Sequence, residues 1–423
     1  MIAKIFLILF LLGITFLQVE GQEQTPQAFG KTIVKELASP KYNGRGYVNN
    51  GCRKAANYME SKFKEYGLKP FGNAYQQYFN VTVNTFPKTV ELSVDGTKLK
   101  TGEDFIVEAV SGSSEGEFSL FWIDSSNFPK VIEDFKTMRF GKNIAFVFDK
   151  KNITDKDTLA LFNEFKYYTS SLGAVISIED NKFTWSVAHQ NAPNAILSVL
   201  RKHLPKSTES VYINVKNKLE KDYTTSNVIG FVEGRCKKKY IVVTAHYDHL
   251  GMMGENAYFP GANDNASGTA MLLYLAKYYA QHKPKYNMVF MSFGAEEAGI
   301  LGSQYYTEHP LFPLGKIKFL TNLDLAGTGD EGIKVVNGTL YKKEFKKLAT
   351  INLKKEYLEK VYFRGPAANS DHYWFTQKGV SAFFIYTLGG IKAYHDVYDR
   401  AETLPLTEFT DYSKLLIEFY KKL

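Results

Sequence analysis

Cysteine is scarce in the sequence, with only 2 among 423 residues. Cysteine forms the disulfides that stabilise small folds and provides the ligands of many structural zinc sites. Cys52 and Cys236 stand alone and far apart. They can form neither a zinc ribbon nor a disulfide scaffold, although an exported protein could pair them with each other. We expect two free thiols.

Long hydrophobic runs are also missing, except at the N-terminus. Residues 5–17 are almost all apolar, Lys4 precedes them, and Gly21 ends the segment with a small residue. This pattern is typical of a secretory signal peptide over residues 1–21. A membrane anchor is the alternative, but the run is shorter than the roughly 20 residues that span a bilayer. We expect an exported protein, secreted or periplasmic, with no stable membrane anchor.

The sequence also lacks a concentrated patch of one charge. The net charge is +8, but the lysines look scattered, with no basic helix or cluster of arginines, so we expect no nucleic-acid partner. The composition, 44% hydrophobic and 23% charged, is typical of a globular protein. The length is sufficient for two domains.

The chain contains two kinds of secondary-structure pattern. Residues 22–85 and 223–423 alternate helical patterns with strands, and the strands of the latter segment are nearly continuous in apolar residues. This indicates an α/β fold with a mostly parallel central sheet covered by helices on both faces. Residues 86–222 show short alternating strands instead, which we interpret as a β-rich inserted domain.

Imidazole and carboxylate side chains follow four predicted strands of the α/β part. The strands and the residues after them are 240–245 before His246, 288–293 before Glu296 and Glu297, 319–323 before Asp324, and 381–386 before His395. Asp264 lies in a loop just before a helix that is predicted to begin at Ala266. Because ligands bind at the carboxyl edge of a parallel sheet, we expect these side chains to meet there.

These side chains are the ligand types of a catalytic zinc site: two histidines and several carboxylates, without cysteine. Two neighbouring ions need one bridging carboxylate and separate ligands for each ion. Asp264 would bridge, His246 and Asp324 would complete one ion, and Glu297 and His395 the other.

Two further carboxylates complete the predicted site. Glu296 stands beside a ligand but is not needed as one, so it can take a proton from water. Asp248 lies two residues past His246 and is suited to orient that ring. Each of these residues alone would be an ordinary surface or capping group, but their joint occurrence at successive strand ends favours a metal site.

The motifs that contain these residues resemble a known family. They are residues 245–249 (AHYDH), 261–268 (GANDNASG), 293–299 (FGAEEAG), 302–303 (GS), 322–324 (NLD), 370–372 (SDH) and 394–399 (YHDVYD). In this order they resemble the di-zinc exopeptidases of the aminopeptidase Y type, from about residue 226 to the C-terminus. A fainter match covers residues 25–83, including Gly44 and Arg45.

The resemblance implies the same roles: zinc ligation by the five ligands named above, general base catalysis by Glu296, and support of His246 by Asp248. It also implies that residues 86–222 form a protease-associated type of domain. Some members of the family place an oxyanion-stabilising tyrosine where this chain has Ala367, so Tyr362 or the metal itself could take that role.

The sequence therefore predicts an exported aminopeptidase that uses two Zn²⁺ ions to release N-terminal residues from peptides with a free N-terminus. A carboxypeptidase is one alternative, for which Arg364 and Arg400 are the only arginines near the motifs that could bind a substrate carboxylate. A glutaminyl cyclase-like enzyme with one metal and a non-catalytic binding protein are the others. The preferred N-terminal residue and the oligomeric state stay open.

Overall fold

The computed structural model describes residues 24–423. The predicted signal peptide, residues 1–21, lies outside this range. Among residues 24–423, no helix combines the length and the apolar character required to cross a bilayer. Cys52 and Cys236 are both free, as expected.

The described residues form helices and strands in the following chain order. The α-helices are α1 (Pro26–Leu37), α2 (Gly51–Glu65), α3 (Phe128–Asp134), α4 (Lys156–Thr169), α5 (Gly268–Gln281), α6 (Leu301–Glu308), α7 (Lys342–Lys355), α8 (His372–Gln377) and α9 (Phe409–Lys422). The first ten strands are β1 (Gln76–Thr85), β2 (Val90–Val94), β3 (Thr97–Lys98), β4 (Phe105–Val107), β5 (Ser114–Asp124), β6 (Ile144–Asp149), β7 (Ala174–Glu179), β8 (Ile196–Leu200), β9 (Ser210–Val215) and β10 (Lys218–Val232). The others are β11 (Cys236–His246), β12 (Gly251–Met253), β13 (Ala257–Phe259), β14 (Tyr286–Phe293), β15 (Ile317–Asp324), β16 (Ile333–Val336), β17 (Val361–Phe363) and β18 (Ala382–Thr387).

The central sheet has eight strands in the order β1-β10-β14-β11-β15-β18-β16-β17. Its four middle strands, β14, β11, β15 and β18, run parallel. The outer strands are more mixed than expected, since β1 and β10 pair antiparallel, as do β10 and β14 and also β18 and β16. The predicted α/β class, with a parallel centre between helices, is confirmed.

Burial on both faces explains the continuous apolar strands. Ile241 and Val243 of β11 pack into the same core as helices α1, α2, α5 and α9. Val242 faces the other way and packs with Tyr306 of α6 and Phe375 of α8. Because successive side chains point to opposite faces, a strand covered on both sides needs an apolar residue at every position.

A second eight-stranded sheet, in the order β3-β2-β9-β5-β6-β7-β8-β4, takes all its strands from residues 90–215. We call these residues the second-sheet segment. Strands β5 to β8 run parallel, and α3 and α4 pack on them, so the segment contains more α/β structure than its short strands indicated. The division into domains at residues 86–222 stays a prediction.

The two parts of the chain share a hydrophobic core. Phe259 and Val397, which lie outside the second-sheet segment, pack in one cluster with residues of its strands, such as Val107 and Val199. The segment is therefore fixed against the α/β part by buried apolar contacts.

The lysines are less evenly spread than the sequence suggested. Helix α7 has the sequence KKEFKKLATINLKK, with lysines at 342, 343, 346, 347, 354 and 355. The expectation that the chain has no basic helix is wrong for this element.

Arg45 connects the N-terminal elements to the loops at the carboxyl edge of the central sheet. Its side chain is fully buried. Its guanidinium donates to the carbonyl oxygens of Tyr247 (2.8 Å), Leu37 (3.0 Å), Pro260 (2.7 Å), Gly261 (2.7 Å) and Asp264 (3.3 Å). Burial lowers the pKa of Arg45 to about 10, so it stays charged at neutral pH.

Replacing Arg45 by methionine should lower the free energy of unfolding by about 3 kcal/mol or more, because several buried carbonyl groups would lose their only side-chain donor. Urea denaturation followed by circular dichroism measures this loss. Arg53→Met is the matched control, since Arg53 is exposed on α2 and should change stability by less than about 0.5 kcal/mol. Equal effects of the two substitutions would contradict the role assigned to Arg45.

Candidate metal centre

Three parallel strands bring four of the predicted site residues to one edge of the central sheet. His246 is the last residue of β11 and Asp324 is the last residue of β15. Glu296 and Glu297 lie three and four residues beyond the end of β14 at Phe293. Because β11 pairs with both β14 and β15 in parallel, these side chains emerge side by side.

Asp264 reaches the same edge from a turn of π-helical type, Ala262–Ser267, that leads into α5. The Asp264–Asn265 peptide bond is cis. The side chain of Asn265 donates to the carbonyl of Leu323 in β15 (3.0 Å) and accepts from the N–H of Gly268 (3.0 Å). These bonds fasten the turn to the strand that carries Asp324.

The first half of the site is centred on His246. Its Nε2 lies 3.4 Å from Oδ1 of Asp264 and 3.5 Å from Oδ2 of Asp324. The ring is almost fully buried. Two carboxylates therefore face one imidazole nitrogen at distances at which all three atoms could share one ion.

The second half is centred on His395. Its Nε2 lies 3.0 Å from Oδ2 of Asp264 and 3.2 Å from Oε2 of Glu297. Asp264 thus turns one oxygen to His246 and the other to His395, and the five predicted ligands lie in one cluster. Unlike the other strand-end residues, His395 does not adjoin its strand, since β18 ends at Thr387 and a loop follows.

The donor set fits a divalent cation such as zinc. Ligand atoms of His246, Asp264 and Glu297 all lie within 4.8 Å of one another. Oδ1 of Asp264 is buried and has no hydrogen-bond partner. Although burial acts in the opposite direction, Glu297 and Asp264 raise the pKa of His395 to about 11. The cluster therefore stabilises positive charge, and imidazole nitrogens with carboxylate oxygens are zinc ligands.

Glu296 lies at the rim of this cluster. Its Oε2 is 4.0 Å from Nε2 of His246. Burial raises the pKa of Glu296 well above its usual range, and the carboxylates of Asp371, Glu297 and Asp324 act in the same direction. A carboxylate with a raised pKa beside a metal site has the properties of a general base.

Asp248 holds the turn that carries Glu296 and Glu297. Its carboxylate accepts the N–H of Glu296 (3.1 Å) and the N–H of Glu297 (3.3 Å). Its contact with His246 is made mainly by the main chain, because the carbonyl oxygen of Asp248 lies 3.2 Å from Nδ1 of that ring and the carboxylate lies 3.7 Å away. Asp248 therefore positions two strand ends at once.

Two residues that received no role above contact the predicted ligands or the turn that carries one of them. His249 places Nδ1 2.6 Å from Oε1 of Glu297. Asp399 accepts the main-chain N–H groups of Asn263 (2.8 Å) and Asp264 (3.0 Å). Both belong to motifs recognised in the sequence, but neither the spacing nor the residue type indicates these partners.

Two more residues of the recognised motifs border the cluster. Asp371 is fully buried, neither of its oxygens has a hydrogen-bond partner, and burial raises its pKa to about 7. Tyr394 stacks on the ring of His395, with ring centroids 4.0 Å apart. Tyr362, the tyrosine named in the sequence analysis as a possible oxyanion stabiliser, has Lys334 and Lys360 over its ring.

Comparison with known proteins gives two kinds of match. Residues 227–420 match Peptidase family M28. Among curated proteins, the aminopeptidase YwaD of Bacillus subtilis is 26% identical over 250 residues, which cover 56% of this chain and 51% of that protein. The chain thus spans about half the length of this relative.

Solved structures agree on the fold. The zinc aminopeptidase BSAP from Bacillus subtilis has a TM-score of 0.70 at 18% identity, and the match covers 94% of this chain and 95% of the BSAP chain. The aminopeptidase from Aneurinibacillus sp. strain AM-1 has a TM-score of 0.62 at 20% identity, and the match covers 94% of this chain and 93% of that chain. At these identities the likeness establishes the architecture, and the family relationship rests on the sequence match. Residues 227–420 therefore match Peptidase family M28, in agreement with the family that the motifs resemble.

Proposed function

We propose that the chain is an exported zinc-dependent aminopeptidase that removes N-terminal residues from peptides. One observation carries this proposal: Asp264 turns its two oxygens to two histidines, with Asp324 beside the first and Glu297 beside the second. This arrangement supports two zinc ions that share Asp264. Zinc in such a site supplies Lewis acidity, which makes water a stronger acid and polarises a carbonyl group.

Glu296 is the residue that moves the proton. It takes the proton of the attacking water and delivers it to the amine that leaves when the peptide bond breaks. Its raised pKa suits this double role, because a carboxylate with a raised pKa is a stronger base and takes a proton from water more readily. Asp248 keeps the main chain of Glu296 and Glu297 in place through its two hydrogen bonds.

The charge of the site supports a substrate with a free α-amine. When two zinc ions neutralise the other carboxylates, Glu296 still adds a negative charge that is not needed for metal binding, and this charge favours an ammonium group over a C-terminal carboxylate. A carboxypeptidase would need a cation directed at the substrate, but Arg364 and Arg400 are both exposed, and Arg400 donates to the carbonyl of Val397 (2.8 Å). A glutaminyl cyclase-like enzyme would need only one ion and would leave half of the ligands without a function.

Two parts of the proposal rest on sequence patterns. Export depends on the signal-peptide pattern of residues 1–21. The domain organisation depends on the pattern of predicted strands and helices and on the resemblance to the family. It comprises a peptidase domain, residues 22–85 and 223–423, and an inserted protease-associated type of domain, residues 86–222. The domain organisation agrees with the grouping of all strands of the second sheet between β1 and β10.

The substrate class is tested with amino-acid p-nitroanilides, either unblocked or N-acetylated. Unblocked substrates should be cleaved and N-acetylation should reduce kcat/KM roughly 100-fold or more, because acetylation removes the free amine that the site is proposed to bind. Peptides blocked at the N-terminus with a free C-terminus test the carboxypeptidase, and N-terminal glutaminyl peptides test the cyclase. Turnover of either class in preference to free aminoacyl substrates would overturn the aminopeptidase assignment.

Glu296→Gln should lower kcat about 10²- to 10⁴-fold, because the amide cannot accept the proton of water. The variant should keep the zinc content of the wild type, which metal analysis after gel filtration determines. Glu308→Gln is the matched control, since Glu308 is exposed at the end of α6, and it should leave kcat unchanged. A Glu296→Gln enzyme with wild-type kcat would exclude Glu296 as the base.

Asp264→Asn should abolish binding of at least one zinc ion per chain, because an amide has one neutral oxygen in place of two charged ones. Inductively coupled plasma mass spectrometry of the purified protein should give two zinc ions for the wild type and for Asp330→Asn, whose side chain is exposed. One zinc ion in the wild type would contradict the dinuclear site.

A further inference from the structure

His395 is the predicted ligand with the least support from its own neighbours in sequence. It lies in the loop after β18 and belongs to no helix or strand. Its φ of 51° is in the left-handed region, which non-glycine residues adopt only when surrounding contacts hold them there. The contacts that hold it therefore matter for the site.

Those contacts come from the second-sheet segment. Trp185, in the connection between β7 and β8, donates its main-chain N–H to the carbonyl of His395 (2.9 Å). Its own carbonyl oxygen lies 3.0 Å from Nδ1 of His395. A carbonyl only accepts, so this bond requires a proton on Nδ1. In the neutral ring, Nε2 then carries the lone pair and faces Asp264 and Glu297.

Lys182 holds the loop on both sides of His395. Its Nζ donates to the carbonyl of Lys392 (2.7 Å) and to Oδ2 of Asp396 (2.6 Å). The Asp396 carboxylate also accepts the N–H of Tyr398 (2.9 Å). Exposed ion pairs contribute little, but the Asp396 side chain is only 4% exposed. Removal of Lys182 would leave that carboxylate buried without its cation.

Trp185 is itself fixed in position. Its Nε1–H donates to the carbonyl of Val107 (2.8 Å), and its indole stacks on Phe259, with ring centroids 4.5 Å apart. Phe259 lies just before the turn that carries Asp264. The connection between β7 and β8 is therefore packed into the core that the two parts of the chain share.

We propose that the second-sheet segment contributes to the metal centre, because its Lys182 and the main chain of its Trp185 fix the position and tautomer of His395. This inference rests on the proposed zinc site. Lys182 and Trp185 are positioning residues, because Trp185 contacts His395 through its main chain and Lys182 contacts the loop on both sides of His395, and neither is itself a predicted ligand. Groups that orient a metal-bound histidine in this way typically change metal affinity 10- to 100-fold.

The test measures zinc affinity of the full chain by competition with a chromophoric chelator. Lys182→Met should raise the dissociation constant of the more weakly bound zinc ion 10- to 100-fold and alter the visible spectrum of the cobalt-substituted protein. Lys182→Arg, which keeps a donor and the charge, should restore most of the affinity. Lys150→Met is the matched control, because Lys150 pairs with Glu179 inside the same segment (2.8 Å) and should leave zinc affinity unchanged.

The outcomes separate this inference from the proposed function. Wild-type zinc affinity and an unchanged cobalt spectrum in Lys182→Met would overturn the inference and leave the zinc peptidase standing. A wild-type chain that binds no zinc would overturn both. If Lys182→Met does not fold, Asp396→Asn removes the charge of the same ion pair, and weaker zinc binding with a normal circular dichroism spectrum would support the inference. Unaltered zinc binding in that folded variant would overturn it.

Discussion

Repulsion among buried carboxylates is the constraint to which the rest of the structure responds. Asp264, Glu296, Glu297 and Asp324 converge within one cluster at the edge of the central sheet. Two like charges about 4 Å apart repel by about 4 kcal/mol at an effective dielectric constant of 20. Such a group of side chains is stable only where positive charge faces it.

The protein supplies part of that positive charge from its own groups. His246 and His395 face the carboxylates directly, and main-chain N–H groups are donated to Asp248 and Asp399 behind them. Arg45 adds a buried cation on the far side of the Asp264 turn, where Asp399, Asp264, Asp248 and Glu297 act on its pKa. Metal ions at the centre would take the place of the imidazole protons and supply this positive charge themselves, which is why the same arrangement that is costly alone becomes a binding site.

The sequence was sufficient for the parts of this site that follow from periodicity. A strand covered on both faces has a continuous apolar pattern, and its last residue is visible where that pattern stops, so His246 and Asp324 could be found by inspection. The antiparallel outer strands could not be found in this way, because neighbouring strands in a sheet are not neighbours in sequence. The basic character of α7 does follow from the sequence, since six of its 14 residues are lysines.

The supporting contacts could not be predicted from the sequence, because the partners of these residues are remote in the chain. Asp399 binds main-chain N–H groups of residues 263 and 264, and Trp185 binds His395 through its backbone, which no residue type reveals. Main-chain contacts of this kind depend on the conformation of two loops at once. A sequence pattern carries information on one loop at a time, so ligands are easier to predict than the groups that orient them.

The position of His395 has a consequence for how the two parts of the chain depend on each other. A parallel sheet delivers side chains to one edge in a fixed register, but it approaches a bound ion from one side. The ligand opposite that edge must come from a loop, and here the loop is held by the second-sheet segment. Coupling between two equilibria is reciprocal. An ion held by His395 would therefore stabilise the interface between the two sheets, and that interface would in turn strengthen binding of the ion.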